Sequence, residues 1–233
     1  MRKLFPLIVL FFSLSAAPTF AQKLNAKIAK QHQVQRVVVL PAKVSIVKVG
    51  IKGTEPMEKE TAEAKPLFEK TVTKVLQEKK FAVLDGDFKI ETLESNEKMK
   101  YALADLQTSF DELNEKIMKK NKDIEKGRFS LGDKVLLVNQ DDQADAFVFI
   151  RAVGQQSTKG KKAFALLTLD PFSTIMSFPM CSIQMTMVDA RSGEVLAQTT
   201  AFTMGDVIKN TDKALSKPLT NSLKKLASPA SAK

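Results

Sequence analysis

One histidine, one cysteine, one tyrosine and no tryptophan occur among the 233 residues of this chain, and each scarcity removes a class of chemistry. His32 stands in a polar stretch with no cysteine or second histidine nearby, so a histidine zinc site or a Ser-His-Asp triad lacks its ligands or its base. Cys181 has no partner for an internal disulfide, which leaves packing as the source of stability. Free cysteine is among the most buried residue types, so Cys181 is expected in the core rather than as a reactive thiol. The phenylalanines fall in apolar runs, where they read as core rather than as stacking platforms for bases, so no nucleic-acid partner is expected. Neither common form of glycine-rich phosphate loop occurs.

The remaining catalytic candidates are weak. Ser95 and Lys98, like Ser222 and Lys225, satisfy S-x-x-K, but the S-D-N and K-T-G partners of penicillin-recognising enzymes are missing. Asp85 and Asp87 flank a glycine without the further oxygen ligands of a calcium loop. Asp141, Asp142 and Asp145 read as a turn ahead of a strand. No catalytic residue, cofactor or metal site is expected, and the chain is expected not to be an enzyme. Two carboxylates brought together from distant segments are the enzymatic alternative.

What is present begins with an address. Arg2 and Lys3, an apolar run over residues 4–14 and small residues up to Ala21 form the layout of a secretory signal peptide, cut after Ala21. The apolar run is too short for a membrane span of roughly 20 residues. The expected organisation is a signal peptide over 1–21, a polar leader over 22–34, a single α/β domain over 35–228 and a flexible tail over 229–233. Loss of Arg2 and Lys3 lowers the formal charge of +10 by two, and in an exported protein that excess points to anionic envelope surfaces.

Periodicity outlines the domain. Val37 to Leu40 is a β-branched run suited to a strand buried on both faces, and Val44, Ile46, Val47 and Val49 continue it beyond a kink at Pro41. Residues 50–56 form a breaker cluster. Ala64, Phe68, Val72, Val75 and Leu76 make one helical stripe, with the regular part expected from Pro66 to Lys79 because an interior proline costs about 3 kcal/mol. Residues 81–87 read as a second buried strand, completing a βαβ-like opening.

Met99, Ala102, Leu103, Leu106, Phe110, Leu113 and Ile117 predict a long helix that stops by Gly127. Ser130 to Asp133 has the form of a capping box for a short helix. A strand over 146–154, a polar loop over 155–162 and a hairpin of strands 182–190 and 194–202 follow. Gly193 supplies the positive φ of the hairpin loop. A helix over 211–226 closes a three-layer-like α/β domain, an α+β mixture with helices packed on a central mixed sheet.

Residues 159–180 stand apart. Lys159, Lys161 and Lys162 form a basic edge to an apolar run with Phe164, Leu167, Phe172, Ile175, Met176 and Phe178. Such a run, if exposed, marks a partner or membrane surface; folded over the sheet, it is core. These nine residues are the candidate partner-binding site.

The order of segments carries a resemblance. VVVLP, a helix, FAVLDGD, a helical insert, QADAFVFIRAVG, VDARSGEVLAQT and a final helix resemble the periplasmic domains related to curli-secretion lipoproteins. Penicillin-binding-protein activator lipoproteins and the amino-terminal domain of TolB have a similar layout. The resemblance spans residues 36–226 and implies a non-catalytic periplasmic accessory or scaffold protein, acting through envelope-protein partners in assembly, secretion or wall synthesis. Two departures qualify it: the chain has no lipobox cysteine, and it has no paired long hairpins for a pore. The alternative is a binder of an anionic envelope surface or small ligand through residues 159–180, with peripheral contact to an anionic membrane.

Overall fold

The computed structural model describes residues 21–25, 34–84, 96–139, 143–160, 163, 178–205, 216 and 220. Its centre is a mixed sheet of eight strands: β1 (Ala21–Leu24), β2 (Arg36–Val39), β3 (Lys43–Val49), β4 (Thr54–Pro56), β5 (Ala82–Leu84), β6 (Ala146–Ser157), β7 (Met180–Asp189) and β8 (Val195–Met204). The order runs β1-β8-β7-β6-β2-β5, with β3 also on β6 and β4 outside β3. Strands β2, β3 and β5 join in parallel pairs, while β6, β7, β8 and β1 form an antiparallel run. The architecture is the mixed α/β class expected.

Strands β2 and β3 lie on the same side of β6. Val39 pairs with Val148, and Lys43 pairs with Arg151, so one residue is absorbed at Pro41 and Ala42. This is the kinked continuous strand that the valine pattern implied. Its exposed edge is blunted by a helix: the Ala42 N–H donates to Glu69 Oε1 at 2.7 Å and the Ile46 N–H to Thr61 Oγ1 at 3.1 Å, which manages an otherwise open edge.

Helix α1 (Glu58–Glu78) covers one face through Ala64, Phe68, Val72, Val75 and Leu76, all at most 1% exposed. It starts eight residues before the expected onset at Pro66. The proline is tolerated because it and Ala62, whose carbonyl loses its N–H partner, are both on the exposed side, where water replaces the missing bond. The helix ends in a left-handed Lys80 (φ 68°), with the Phe81 N–H on the Leu76 carbonyl and the Lys80 N–H on that of Gln77. This paired closure satisfies carbonyls left over at the helix end.

Helix α2 (Glu97–Lys119) covers the opposite face, capped by Asn96, whose side chain accepts the Met99 N–H at 3.0 Å. Its stripe, Leu103 to Ile117, packs with Val38, Leu40, Phe147, Phe149 and Val188. Phe110 stacks on Phe149 with ring centroids 4.0 Å apart. Short 3-10 turns at Asn121–Asp123 and Gly132–Leu137 complete that layer. The second is the expected short helix, without the capping box: Ser130 Oγ accepts the Gly132 N–H, only two residues on, at 2.9 Å.

Four further expectations are corrected. Residues 22–24, which the sequence reads as part of a tether or short helix, belong to strand β1, whose Ala21 to Leu24 pair with Thr200 to Ala197. Residues 50–56 contain an edge strand, β4, rather than only breakers. Strand β5 is an edge, and Ala82 is exposed where a buried strand was expected. Gln155 to Ser157 extend β6, lengthened by pairing with both β3 and β7. The closing helix over 211–226 lies outside the described residues, apart from Ser216 and Thr220, which are helical.

Candidate partner-binding face

Of the nine residues singled out on sequence, only Lys159 and Phe178 are among the described ones, and both are exposed, Phe178 at 50%. Lys161, Lys162, Phe164, Leu167, Phe172, Ile175 and Met176 lie outside them, as do His32, Asp85, Asp87, Asp141 and Asp142. Phe178 leads into β7 at Met180 and so sits beside a larger surface that sequence reasoning missed.

That surface arises because α2 is shorter than the face it packs on. Alternate residues of β6 point to the α2 side, and Phe147 and Phe149 are covered by it. Arg151, next in the series, marks the limit: its guanidinium meets Asp111 of α2 at 3.3 Å. Lys43 of β3 pairs with the same carboxylate, so one acid serves two cations. Beyond this line Val153 is 58% exposed, and register places Ser182 opposite it on β7, with Phe202 next on β8. Phe202 is 37% exposed and Met204 52%.

The last turn of α2 forms one bank, where Met118 is 65% exposed and its sulfur takes a contact from Gln184 Nε2 at 3.6 Å. The groove between helix and sheet has a volume of about 520 Å³ and is also lined by Glu115, Lys119 and Thr200. Under its inner end Gln198 Nε2 donates to Asn114 Oδ1 and Thr186 Oγ1, both at 3.3 Å. A buried, bonded amide fixes the floor while the outer rows stay open.

The titratable groups near the sheet are structural. Partial burial pushes the Asp145 carboxyl up, but the Arg36 side chain, the N–H groups of Arg36 and Gln35 and the guanidinium charge outweigh it and hold the group below its ordinary value. Its oxygens accept the Arg36 guanidinium at 2.9 Å and the Arg36 N–H at 2.8 Å, so it secures the entry of β2 against β6 rather than a cation. Asp189 likewise accepts the N–H groups of Arg191 and Ser192. Burial pushes the Cys181 thiol up to about 12, in keeping with its expected core position. No cluster of metal-ligating side chains occurs among the described residues, and no described helix is long and apolar enough to cross a membrane.

The hairpin turn is not free either. The Leu131 N–H donates to the Gly193 carbonyl at 2.9 Å and Ser130 Oγ to the Ser192 carbonyl at 3.0 Å. The hairpin strands are central to the sheet, with Ile183, Met185 and Met187 at most 2% exposed. A second apolar spot, Tyr101 (69% exposed) with Leu136 and Leu137, lines a separate groove of about 540 Å³.

No protein-family model matches the chain, and no curated protein was found to be similar to it. Among solved structures it is similar to a variant PelC dodecamer from Paraburkholderia phytofirmans, at 9% identity and TM-score 0.43, covering 91% of this chain and 99% of that one. It is also similar to lipoprotein GNA1162 from Neisseria meningitidis, at 14% identity and TM-score 0.40, covering 81% and 97%. The LpoB C-terminal domain from Salmonella enterica matches at 10% identity and TM-score 0.32, covering 78% and 93%. These weak likenesses match the kinds of protein that the sequence resembles and carry nothing further about what this chain does.

Proposed function

We propose that this chain is a non-catalytic accessory or scaffold protein of the cell envelope that works by contact, and that its contact surface is the uncovered sheet face beyond α2. The observation that carries this reading is that Val153, Phe202 and Met204 are exposed on the sheet face beyond α2, with Ser182 between Val153 and Phe202 and with Met118 on the bank of the groove that Val153 lines. A sheet face turned to water ordinarily alternates to polar residues, and exposed apolar surface gathered in one region marks a site of association. The envelope is inferred from the signal-peptide layout and the resemblance. The rim carries Glu115 beside Lys119, and Arg151 paired with Asp111, so an envelope protein with a polar margin of both signs is the complementary partner.

The test is photocrosslinking in cells from a photoreactive residue at position 153. A discrete envelope-protein adduct, lost when Phe202→Glu is added, supports the reading. Adducts no different from those captured at the exposed helix position Lys70 overturn it.

A second reading, contact with an anionic surface, has its own observation. The β3–β4 turn presents Ile51 at 65% exposure, with Lys52 next to it and Lys159 exposed at the end of β6. Ile51 Cδ1 lies 3.7 Å from where a Cβ on Gly160 would stand, which makes the turn and the basic edge one surface. Sedimentation with phosphatidylglycerol vesicles, lost at high salt and in Lys52→Gln/Lys159→Gln, is the outcome that favours it.

A further inference from the structure

We infer that the corner formed by the last turn of α2 and the chain after it, residues 116–128, docks on the headgroups of an anionic lipid bilayer, with Met118 entering the apolar boundary beneath them. The inference deepens the reading of contact with an anionic surface and rests on it, but assigns that contact to the opposite end of the sheet from the β3–β4 turn.

Charge is sorted along this stretch rather than mixed. Over residues 97–115, Glu97, Asp105, Asp111, Glu112 and Glu115 stand against Lys98 and Lys100, a net charge of −3. Over residues 116–128, Lys116, Lys119, Lys120, Lys122, Lys126 and Arg128 stand against Asp123 and Glu125, a net charge of +4. All six cations are exposed. Among the described residues Asp123 takes up two of them, Lys126 at 3.7 Å and Arg128 at 3.5 Å, and Lys116, Lys119, Lys120 and Lys122 have no acidic partner. A merely solvated helix face intersperses the signs and closes pairs four residues apart. Glu112 with Lys116 and Glu115 with Lys119 have that spacing and form no ion pair. The helix dipole accounts for Lys116 and Lys119, in the last turn, but not for the four cations at and beyond the helix end.

The corner is braced from within. Ile124 is fully buried, the Gly127 N–H bonds to the Ile124 carbonyl at 3.0 Å, and the Arg128 N–H bonds to the Asp123 carbonyl at 3.2 Å. The Phe129 carbonyl takes the Val195 N–H at 2.9 Å, which places the cations at the end of the sheet where β8 begins. The β3–β4 turn lies at the other end, since Val49 pairs with Ser157, and β8 finishes there at Met204 beside Met180. The Asn25 amide nitrogen lies 3.1 Å from where a Cβ on Gly127 would stand. The residues after Asn25, 26–33, contain two lysines and no acid, so that neighbour brings no countercharge.

Charge and Met118 together select the occupant. Clusters of about four to eight Lys and Arg bind anionic lipid. Five of the six cations here are lysines, point charges on flexible stems that adapt to a moving field of headgroups. Met118 is 65% exposed on the same turn; a soluble polyanion offers it nothing, whereas the headgroup boundary takes it out of water.

The test is cosedimentation of the folded chain with phosphatidylcholine vesicles, with and without about 30% phosphatidylglycerol. Binding is expected only with phosphatidylglycerol and is expected to be lost in about 0.5 M salt. Lys120→Gln/Lys122→Gln, which changes exposed side chains only, is expected to weaken partitioning about 25-fold, roughly fivefold for each lysine. Lys98→Gln/Lys100→Gln, at the acidic end of α2, is expected to change it less than about twofold, and Met118→Gln is expected to weaken it. Equal weakening by the two double variants, or binding that survives high salt, overturns the inference. Equal affinity for inorganic polyphosphate, with Met118→Gln as tight on vesicles as the parent, makes a soluble polyanion the occupant and overturns it too. Loss in Lys52→Gln/Lys159→Gln with Lys120→Gln/Lys122→Gln unaffected removes the corner and leaves contact through the β3–β4 turn standing; no binding to either vesicle removes both.

Discussion

Asp145 and Arg36, 109 residues apart, close a double contact in which one carboxylate holds both the guanidinium, at 2.9 Å, and the backbone N–H, at 2.8 Å, of the same arginine. The Gln35 N–H joins it at 3.1 Å. The pair ties the first residue of β2 to the residue before β6, so the parallel pairing that organises the sheet begins at a charged clamp.

The clamp makes acid stability predictable. The Asp145 carboxyl is held below its reference value of 3.8, so its contribution is complete above that value and is lost as pH falls through the folded pKa. Asp145→Asn should cost about 1.5–3 kcal/mol near neutrality, the range for hydrogen bonds to a charged group. The deficit relative to the parent should shrink in acid, as pH falls through the folded pKa. Urea unfolding near neutrality and in acid checks it; a deficit that does not change with pH would mean the charge contributes nothing.

Gly193 cannot be replaced without moving backbone. Its φ is +71°, and a Cβ would stand 2.5 Å from the Gly132 carbonyl oxygen and 2.6 Å from the Gly132 nitrogen. The left-handed conformation alone costs alanine roughly 1 kcal/mol, and the clash separates the turn from Leu131. Gly193→Ala is expected to lose more than about 2 kcal/mol. Thermal unfolding of that variant beside Gly132→Ala, at a φ of +61° and with nothing within 4 Å of the added Cβ, separates clash from φ strain.

The elements most legible in the sequence were those whose pattern and burial coincide. The spacing from Met99 to Ile117 found α2 because every residue of that stripe except the half-buried Ala102 is core, and Val37 to Leu40 was readable as two-sided because α1 and α2 each take one face. Pro66 misled because the bond it breaks lies on the wet side of α1. Strand β1 carries no alternation in its four residues, AQKL, and exists only through its register with β8. The contact face was hidden for a related reason. Val153 and Phe202 look like ordinary core positions in apolar strands, and only the length of α2 against the sheet exposes them.

Cys181 should be chemically silent in the folded chain. It is 1% exposed and its thiol is pushed up to about 12 by burial, so almost no thiolate exists at pH 8, and the thiolate is the attacking form. Iodoacetamide should leave the native chain unmodified and alkylate it once in urea. Alkylation of the native chain at the rate of a free thiol would place Cys181 at an opening in the sheet rather than in its core.

Thr199 offers the opposite kind of test, a substitution that should help. Its Oγ1 is the one buried side-chain polar atom without a hydrogen-bond partner among the described residues, and the residue is 2% exposed. It stands opposite Met185, on the apolar side of β8. An unmet buried hydroxyl costs about 1–3 kcal/mol of desolvation, while valine keeps the same branched shape and the same preference for strand. Thr199→Val is therefore expected to raise stability by about 1 kcal/mol, or Tm by about 2–4 °C for a domain of this size. Thr199→Ser, which keeps the hydroxyl and loses the methyl, should lower it. If valine destabilises as much as serine does, the hydroxyl is held by a partner such as a buried water, and the sheet has a polar point on its α1 side. If valine stabilises, the hydroxyl contributes nothing to the fold.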